Sequence, residues 1–298
     1  VVESTVYPGL TEDLFSKYFP KADEIGIKIA YSPERINPGD KINTLKSIPK
    51  IISAQDKNTL MKVKNVYEKI SKNLVLSNTI KEAELAKSIE NTQRDINIAF
   101  INEIASFSEK IDCNIFHVLD LAKTKWNFLD FKPGMVGGHC IGVDPYYLKD
   151  LAKIKGFETK MIISGRETNE KVFDTLSKKI LKNSKKNHKI LFLGLTFKPD
   201  ISDIRNSGSI KVIKRISKLR KNIYFEDKYV DLKTINKVLK IKEFNPKTTY
   251  NLIVYCVKHK YFEKFISKIA KINATKNTKF ITMVLEKRNL FKNSINGY

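Results

Sequence analysis

The sequence predicts an α/β protein, and three observations carry that prediction. Short apolar runs alternate with helical stretches at both ends of the 298-residue chain, the rhythm of strands and helices in a parallel sheet. Between them a helical pattern runs from Ser77 through Glu109 with no proline or glycine to interrupt it. The balance of 42% hydrophobic and 29% charged residues is that of a globular chain, enough to bury one large core or two to three smaller ones.

Taken in order, the N-terminal end offers an extended start at residues 1–2, a helix near 12–18, an apolar run at 25–31 and a helix near 57–70. The long helix that follows has Ser77 or Asn78 as its expected N-cap, because short side-chain oxygens accept the first orphaned amides. Along it Lys87, Asn91 and Asp95 recur at i, i+4 and share one face. Ile96, Ala99, Phe100 and Ile104 supply apolar contacts on another. A second helical stretch is expected at 115–122. After a polar connector at 183–188 the chain restarts with strands at 189–195, 223–226, 252–257 and 280–284. Helices at 209–219, 232–239 and 262–272 alternate with them, which predicts a second parallel sheet covered on both faces.

The formal charge of +23 invites a nucleic-acid reading. Lysines are scattered with Ile and Asn through every segment instead of gathering on one helix, so the charge is read as a solvated surface whose field attracts an anionic ligand. Cys113, Cys140 and Cys256 are odd in number and far apart, which argues against a disulfide framework and for a reducing compartment. No apolar run reaches the ~18 residues a membrane span needs, and Val1-Val2-Glu3 does not open like a signal peptide. A cytoplasmic location is expected.

Chemistry concentrates at Gly137-Gly138-His139-Cys140-Ile141-Gly142-Val143-Asp144-Pro145. A thiol sits in a glycine-bordered turn with a carboxylate four residues on, and glycines let a ligand lie against the backbone. Asp144 with Pro145 is expected to fix the exit of that turn. His139 lacks other ligands at metal spacing, so no zinc site is expected; as the neighbour of Cys140 it is also poorly placed to activate a cysteine hydrolase. No two glycines are separated by one residue anywhere, so the G-x-G-x-x-G dinucleotide fingerprint is absent, and no G-x-x-x-x-G-K-[ST] P-loop is present either.

The stretch from Phe131 to Leu148 resembles the catalytic loop of the UDP-glucose/GDP-mannose dehydrogenase family. Four further blocks are similar to that family's motifs and in its order: Glu3-Ser4-Thr5-Val6-Tyr7-Pro8-Gly9, Tyr31-Ser32-Pro33-Glu34-Arg35-Ile36-Asn37-Pro38-Gly39-Asp40, Glu84 to Lys87 through Asn102-Glu103, and Gly194-Leu195-Thr196-Phe197-Lys198 through Arg205-Asn206-Ser207. With Trp126-Asn127-Phe128-Leu129 ahead of the loop, the wording resembles most the bacterial branch that oxidises UDP-N-acetylhexosamines for capsule and Vi-type polysaccharides.

The resemblance implies three parts. Residues 1–76 would be the C-terminal remnant of a Rossmann-like NAD-binding domain, 77–165 a central long-helix dimerisation domain with the catalytic loop, and 166–298 a Rossmann-like UDP-sugar-binding domain. The chain lacks an initiator Met and opens on a motif the family carries late in its NAD domain. The first half of that domain is therefore expected to be lost, split off or not included.

The implied activity is an NAD-dependent 6-dehydrogenase that takes a UDP-N-acetylhexosamine to its uronate. The Cys140 thiolate would add to the C6 aldehyde, a second NAD would take the thiohemiacetal's hydride, and water would hydrolyse the thioester. Lys87 would favour the thiolate and steady the oxyanion, and Asn91 would donate a second hydrogen bond. Glu34 is expected as general base, Asp144 as organiser of water or Lys87, and Thr5 as the group positioning that water. Lys198 would contact the substrate, Gly134, Gly137 and Gly138 would admit the sugar, and Arg205 would reach the NAD. A homodimer through the long helix is implied. An arginine that some relatives lend from a neighbouring subunit has no match in Lys123-Thr124-Lys125, and 286–289 is only loosely similar to its counterpart. The other reading is a non-catalytic UDP-sugar-binding or assembly remnant that lacks the NAD module.

Overall fold

The computed structural model describes the chain except residues 23, 38, 39, 41, 139, 284–293 and 298. His139, Pro38, Gly39, the segment 286–289 and Val284, expected as the end of the last strand, lie outside the described residues. The chain forms two compact units, Val1–Arg94 with Val143–Ile163 and Asp95–Gly142 with Ser164–Tyr298.

The elements in chain order are α1 (Leu10–Tyr18), β1 (Ala30–Tyr31), β2 (Lys50–Ala54), α2 (Lys57–Tyr67), β3 (Leu74–Leu76), α3 (Ile80–Lys110), α4 (Ile115–Ala122), α5 (Asp144–Ile154) and α6 (Lys160–Lys182). They continue as β4 (Ile190–Leu193), α7 (Gly208–Ile216), β5 (Ile223–Glu226), α8 (Leu232–Asn236), β6 (Lys242–Glu243), β7 (Leu252–Tyr255), α9 (Phe262–Ile272), β8 (Lys279–Thr282) and β9 (Ser294–Asn296).

In the first unit β2 pairs in parallel with β3 but antiparallel with β1. The small sheet is thus mixed, where the sequence pattern predicts a parallel one. No helix connects Tyr31 to Lys50 among the described residues, and without a crossover a chain returns beside itself in the opposite direction. Val2 bridges Tyr31 in parallel. The core here is modest: Ile52, Val63 and Tyr67 on one side of the sheet, Tyr31, Ile80 and Ala83 on the other.

Helix α3 begins with a reciprocal cap. Thr79 Oγ1 accepts the Glu82 N–H at 3.1 Å, and Glu82 Oε2 accepts the Thr79 N–H at 3.1 Å. This capping box satisfies two orphan donors at once, and it replaces Ser77 or Asn78 as the expected cap. Ser77 donates to the Thr79 carbonyl instead. At α4, Asn114 accepts from the Phe116 and His117 N–H groups.

The second unit holds a parallel sheet in the order β6-β5-β4-β7-β8-β9. All four residues of β4 and of β7 are buried, as expected for central strands covered on both faces. One face packs Phe173, Leu176 and Ile180 of α6 with Val212, Ile213 and Ile216 of α7, and the other packs Phe262, Ile266 and Ile269 of α9. Each fully buried Ile, Leu or Phe contributes roughly 1.5–3 kcal/mol.

Gly194 follows β4 directly with φ +88°, and a Cβ there would lie 2.5 Å from Val257 Cβ and 3.0 Å from the Val257 backbone. Gly194→Ala should therefore destabilise the protein by roughly 2–4 kcal/mol, read as a lowered chemical-denaturation midpoint; an unchanged midpoint would contradict this packing.

Candidate active site

Two constellations emerge, one in each unit. In the first, Glu84, Lys87, Ser88 and Asn91 recur at helical spacing on one face of α3. Glu84 is buried and accepts the N–H groups of Gly9 at 2.5 Å and Thr11 at 3.0 Å. It thereby caps α1, whose N-cap Gly9 takes φ +97° and offers no side chain. Ser88 Oγ donates to the Val6 carbonyl at 3.3 Å. The turn that follows Thr5 is stitched to the face that carries Lys87.

Lys87 is 8% exposed and has no hydrogen-bond or ion-pair partner among the described residues. A buried lysine ammonium is well suited to pair with an anionic group. Asn91 donates to Asp144 Oδ2 at 2.6 Å, and Asp144 is buried in the first turn of α5 with Pro145 beside it. The Asp144-Pro145 pair therefore opens a helix, beyond fixing the exit of a turn.

Glu34 is exposed, and its Oε1 accepts the Ile36 N–H at 2.6 Å. Its backbone is tied to the extended segment before Thr5, because the Glu34 N–H donates to the Glu3 carbonyl and the Ser32 N–H to the Val2 carbonyl. Glu3 anchors that segment by accepting from the Tyr67 hydroxyl at 2.6 Å and pairing with buried Lys50 at 3.1 Å. Tyr31 is fully buried nearby. Burial first, then the charges of Glu84, Asp144 and Glu90, push its hydroxyl pKa far up, so it stays a neutral phenol.

In the second unit, Cys140 is a half-buried thiol outside any disulfide. Its loop lies against the turn after β4. A Cβ at Gly137 would stand 3.1 Å from the Asn206 carbonyl oxygen and 3.3 Å from Phe197 Cβ; one at Gly138, where φ is +84°, would stand 3.0 Å from the Phe197 ring. The two glycines thus allow close approach to the turn that carries Lys198 and Arg205. Lys198 Nζ lies 5.8 Å from the centre of the Phe197 ring. Arg205 is clasped by Asp203 through Nε at 3.1 Å and Nη2 at 2.8 Å. Its pKa is raised, first by those hydrogen bonds and the charge of Asp203, with the Cys140 thiolate adding.

A buried network carries the loop. Asn102 of α3 accepts the Gly134 N–H at 2.8 Å and donates to the Gly134 carbonyl at 3.0 Å and to Asn169 Oδ1 at 2.8 Å. Asn169 of α6 donates to Asp95 Oδ1 at 2.7 Å, where the Arg166 guanidinium also donates at 2.7 Å. Burial pushes the Asp95 carboxyl up against the pull of Arg166. A Cβ on Gly142 would meet that guanidinium at 3.8 Å. Sequence reasoning gave Asn102, Arg166 and Asn169 no role; their signal was a polar residue at a helix position whose neighbours in the period are buried.

Profiles of three domains of one family match this chain in order: the NAD binding domain at residues 1–71, the central domain at 81–171 and the UDP binding domain at 191–292 of the UDP-glucose/GDP-mannose dehydrogenase family. The chain belongs to that family. It is 38% identical over 273 residues to Protein CapL of Staphylococcus aureus, covering 87% of this chain and 64% of CapL. It is 37% identical over 282 residues to the UDP-N-acetyl-D-glucosamine 6-dehydrogenase of Salmonella typhi, covering 90% of this chain and 66% of that one. The chain thus spans just under two thirds of the length of these curated relatives. Among solved structures, the UDP-D-ManNAc dehydrogenase of Pyrococcus horikoshii superposes with a TM-score of 0.76 at 27% identity, over 99% of this chain and 71% of that one. A UDP-glucose dehydrogenase of Pyrobaculum islandicum, at 19% identity, shares the fold with a TM-score of 0.83 over 99% of this chain and 69% of its own.

The Glu3 anchor gives a pH signature. The Tyr67 hydroxyl above all, with Lys50 assisting, holds the Glu3 carboxyl below its ordinary value although burial opposes the shift. A lowered folded-state pKa contributes stability above the unfolded pKa of ~4.3 and loses it as pH falls through the folded value. Glu3→Gln should melt earlier than the native chain at pH 7, with the gap shrinking below about pH 4; a gap that widens in acid would contradict the assignment.

Proposed function

We propose that the protein in its whole form is an NAD-dependent dehydrogenase that oxidises the C6 hydroxymethyl of a UDP-N-acetylhexosamine to a carboxylate. The observation that carries this reading is the half-buried Cys140 in a glycine-bordered loop laid against the Lys198–Arg205 turn, within the unit that includes the UDP binding domain match. Capsule-related CapL and the UDP-N-acetyl-D-glucosamine 6-dehydrogenase support the choice of sugar class.

In this reading Cys140 is the nucleophile that holds the aldehyde, so that a reactive intermediate is not released between two oxidations. Lys87 and Asn91 steady negative oxygen, Asp144 orients Asn91, and Thr5 with Glu34 position and deprotonate water. Lys198 meets the diphosphate, and Gly134, Gly137 and Gly138 leave room for the sugar. NAD supplies the hydride acceptor when bound, with Arg205 reaching toward it. The residues present do not by themselves form a dinucleotide cradle: no glycine pair with one intervening residue exists in the chain, and among the described residues the first unit's sheet has three strands. Among the described residues no helix is long and apolar enough to cross a membrane. The reading is of a cytoplasmic homodimer joined along α3, supported by the exposed Leu85, Ile89, Phe100 and Phe107 on that helix, an apolar series suited to a partner.

The full-length protein, given NAD and a panel of UDP-sugars, should form two NADH per sugar. Cys140→Ser should lower complete turnover by about 10³-fold or more. A mutant of unchanged rate would contradict the covalent route, and UDP-sugar binding without any NAD reduction would favour a binding protein instead.

A further inference from the structure

We propose that His259 and Asp227 form a buried clamp that sets the Thr196–Asp200 turn and so presents Lys198 to the diphosphate of the nucleotide. The inference rests on the reading above, in which Lys198 meets that diphosphate. It adds two positioning residues that neither the family motifs quoted nor the chemistry of Cys140 calls for.

The strands β4, β5 and β7 are parallel neighbours, so the segments that leave their C-terminal ends meet at one edge of the sheet, where ligands of such folds bind. Asp227 follows β5, His259 lies just beyond β7, and the turn of Lys198 follows β4. Asp227 Oδ2 accepts the Leu195 N–H at 2.7 Å and the Thr196 N–H at 3.2 Å, and Oδ1 accepts the Tyr229 N–H at 3.0 Å. The same Oδ2 lies 3.1 Å from His259 Nε2.

The tautomer follows from the opposite side of the ring. The Asp200 N–H donates to His259 Nδ1 at 2.9 Å, so Nδ1 is an acceptor and Nε2 carries the proton that goes to Asp227. One neutral imidazole thereby ties both ends of the turn: Thr196 through Asp227, and Asp200 directly. Inside the turn, Thr196 Oγ1 donates to the Lys198 carbonyl at 2.9 Å.

Asp200 is held in the left-handed region, with φ +58°, a conformation that a non-glycine residue keeps only when its surroundings impose it. Three groups do so. His259 takes its N–H, and its Oδ1 accepts from the Tyr229 hydroxyl at 3.0 Å and the Lys260 N–H at 3.1 Å. The Tyr229 ring also covers His259, with centroids 4.9 Å apart. Both His259 and Asp227 are buried, so they act on a ligand only through the turn they hold.

Calorimetric titration of UDP tests this. His259→Asn keeps an acceptor near the Nδ1 position and loses the donor to Asp227, whereas His259→Gln does the reverse; each should weaken UDP binding roughly tenfold, with circular dichroism confirming a folded chain. In a Lys198→Ala background His259→Asn should cost less than about twofold more, because its effect passes through that lysine. An equal penalty with and without Lys198, or native affinity in both histidine variants, overturns the proposal. If the histidine variants fail to fold, Tyr229→Phe decides: it removes only the hydroxyl bonded to Asp200, should weaken UDP by about threefold, and overturns the proposal if the affinity is unchanged. A native chain that does not bind UDP overturns the functional reading and this inference with it, whereas native binding with indifferent variants overturns this inference alone.

Discussion

The carboxylate of Asp95 is the constraint on which the Cys140 loop depends. It is fully buried in α3, and a buried charge persists only where donors converge on it. Arg166 and Asn169 of α6 supply them. Asn169 then orders Asn102, and Asn102 fixes both backbone groups of Gly134. Within the second unit one ionic centre thus ties α3 to α6 and, through Asn102, the start of the segment that bears the thiol. Removing one partner of such a pair costs about 3–5 kcal/mol, more than an average surface contact by far.

Much of the secondary structure was legible because local pattern and tertiary burial agree. The limits of α4, β5 and α9 fall where the periodicity puts them, and the uninterrupted stretch after Ser77 is one 31-residue helix. Helix α6 was not legible. Its buried face opens with Gly165, Arg166 and Asn169 before Phe173, Leu176 and Ile180 continue it, so polar residues stand where an apolar stripe is sought. Their partners lie some seventy residues away in sequence, and no local window contains them. Strands β2, β3, β6 and β9 were missed as well: β3 and β9 have three residues each and β6 two, too few for alternation to register.

The candidate site divides similarly. Spacing alone put Lys87 and Asn91 on one face of α3, and the structure places Asn91 against Asp144. Spacing could not show that Asp95, the next residue of that series, turns from solvent or ligand to a structural ion pair, because that depends on Arg166. Nor could it show that the Cys140 loop lies against the turn that carries Lys198 and Arg205, since Gly137 and Gly138 pack on Phe197 across a long sequence separation. Family motifs supplied residues and order; the roles of Asn102 and Asn169 came only from the hydrogen-bond network.

Hydrogen exchange across residues 134–142 in Asn102→Ala tests that network most directly. If the Asp95 centre holds the loop through Asn102, this peptide should exchange roughly tenfold or more faster than in the native chain while the strands of the second unit keep their protection. Unchanged exchange in 134–142 would show that the loop is held by something other than this network.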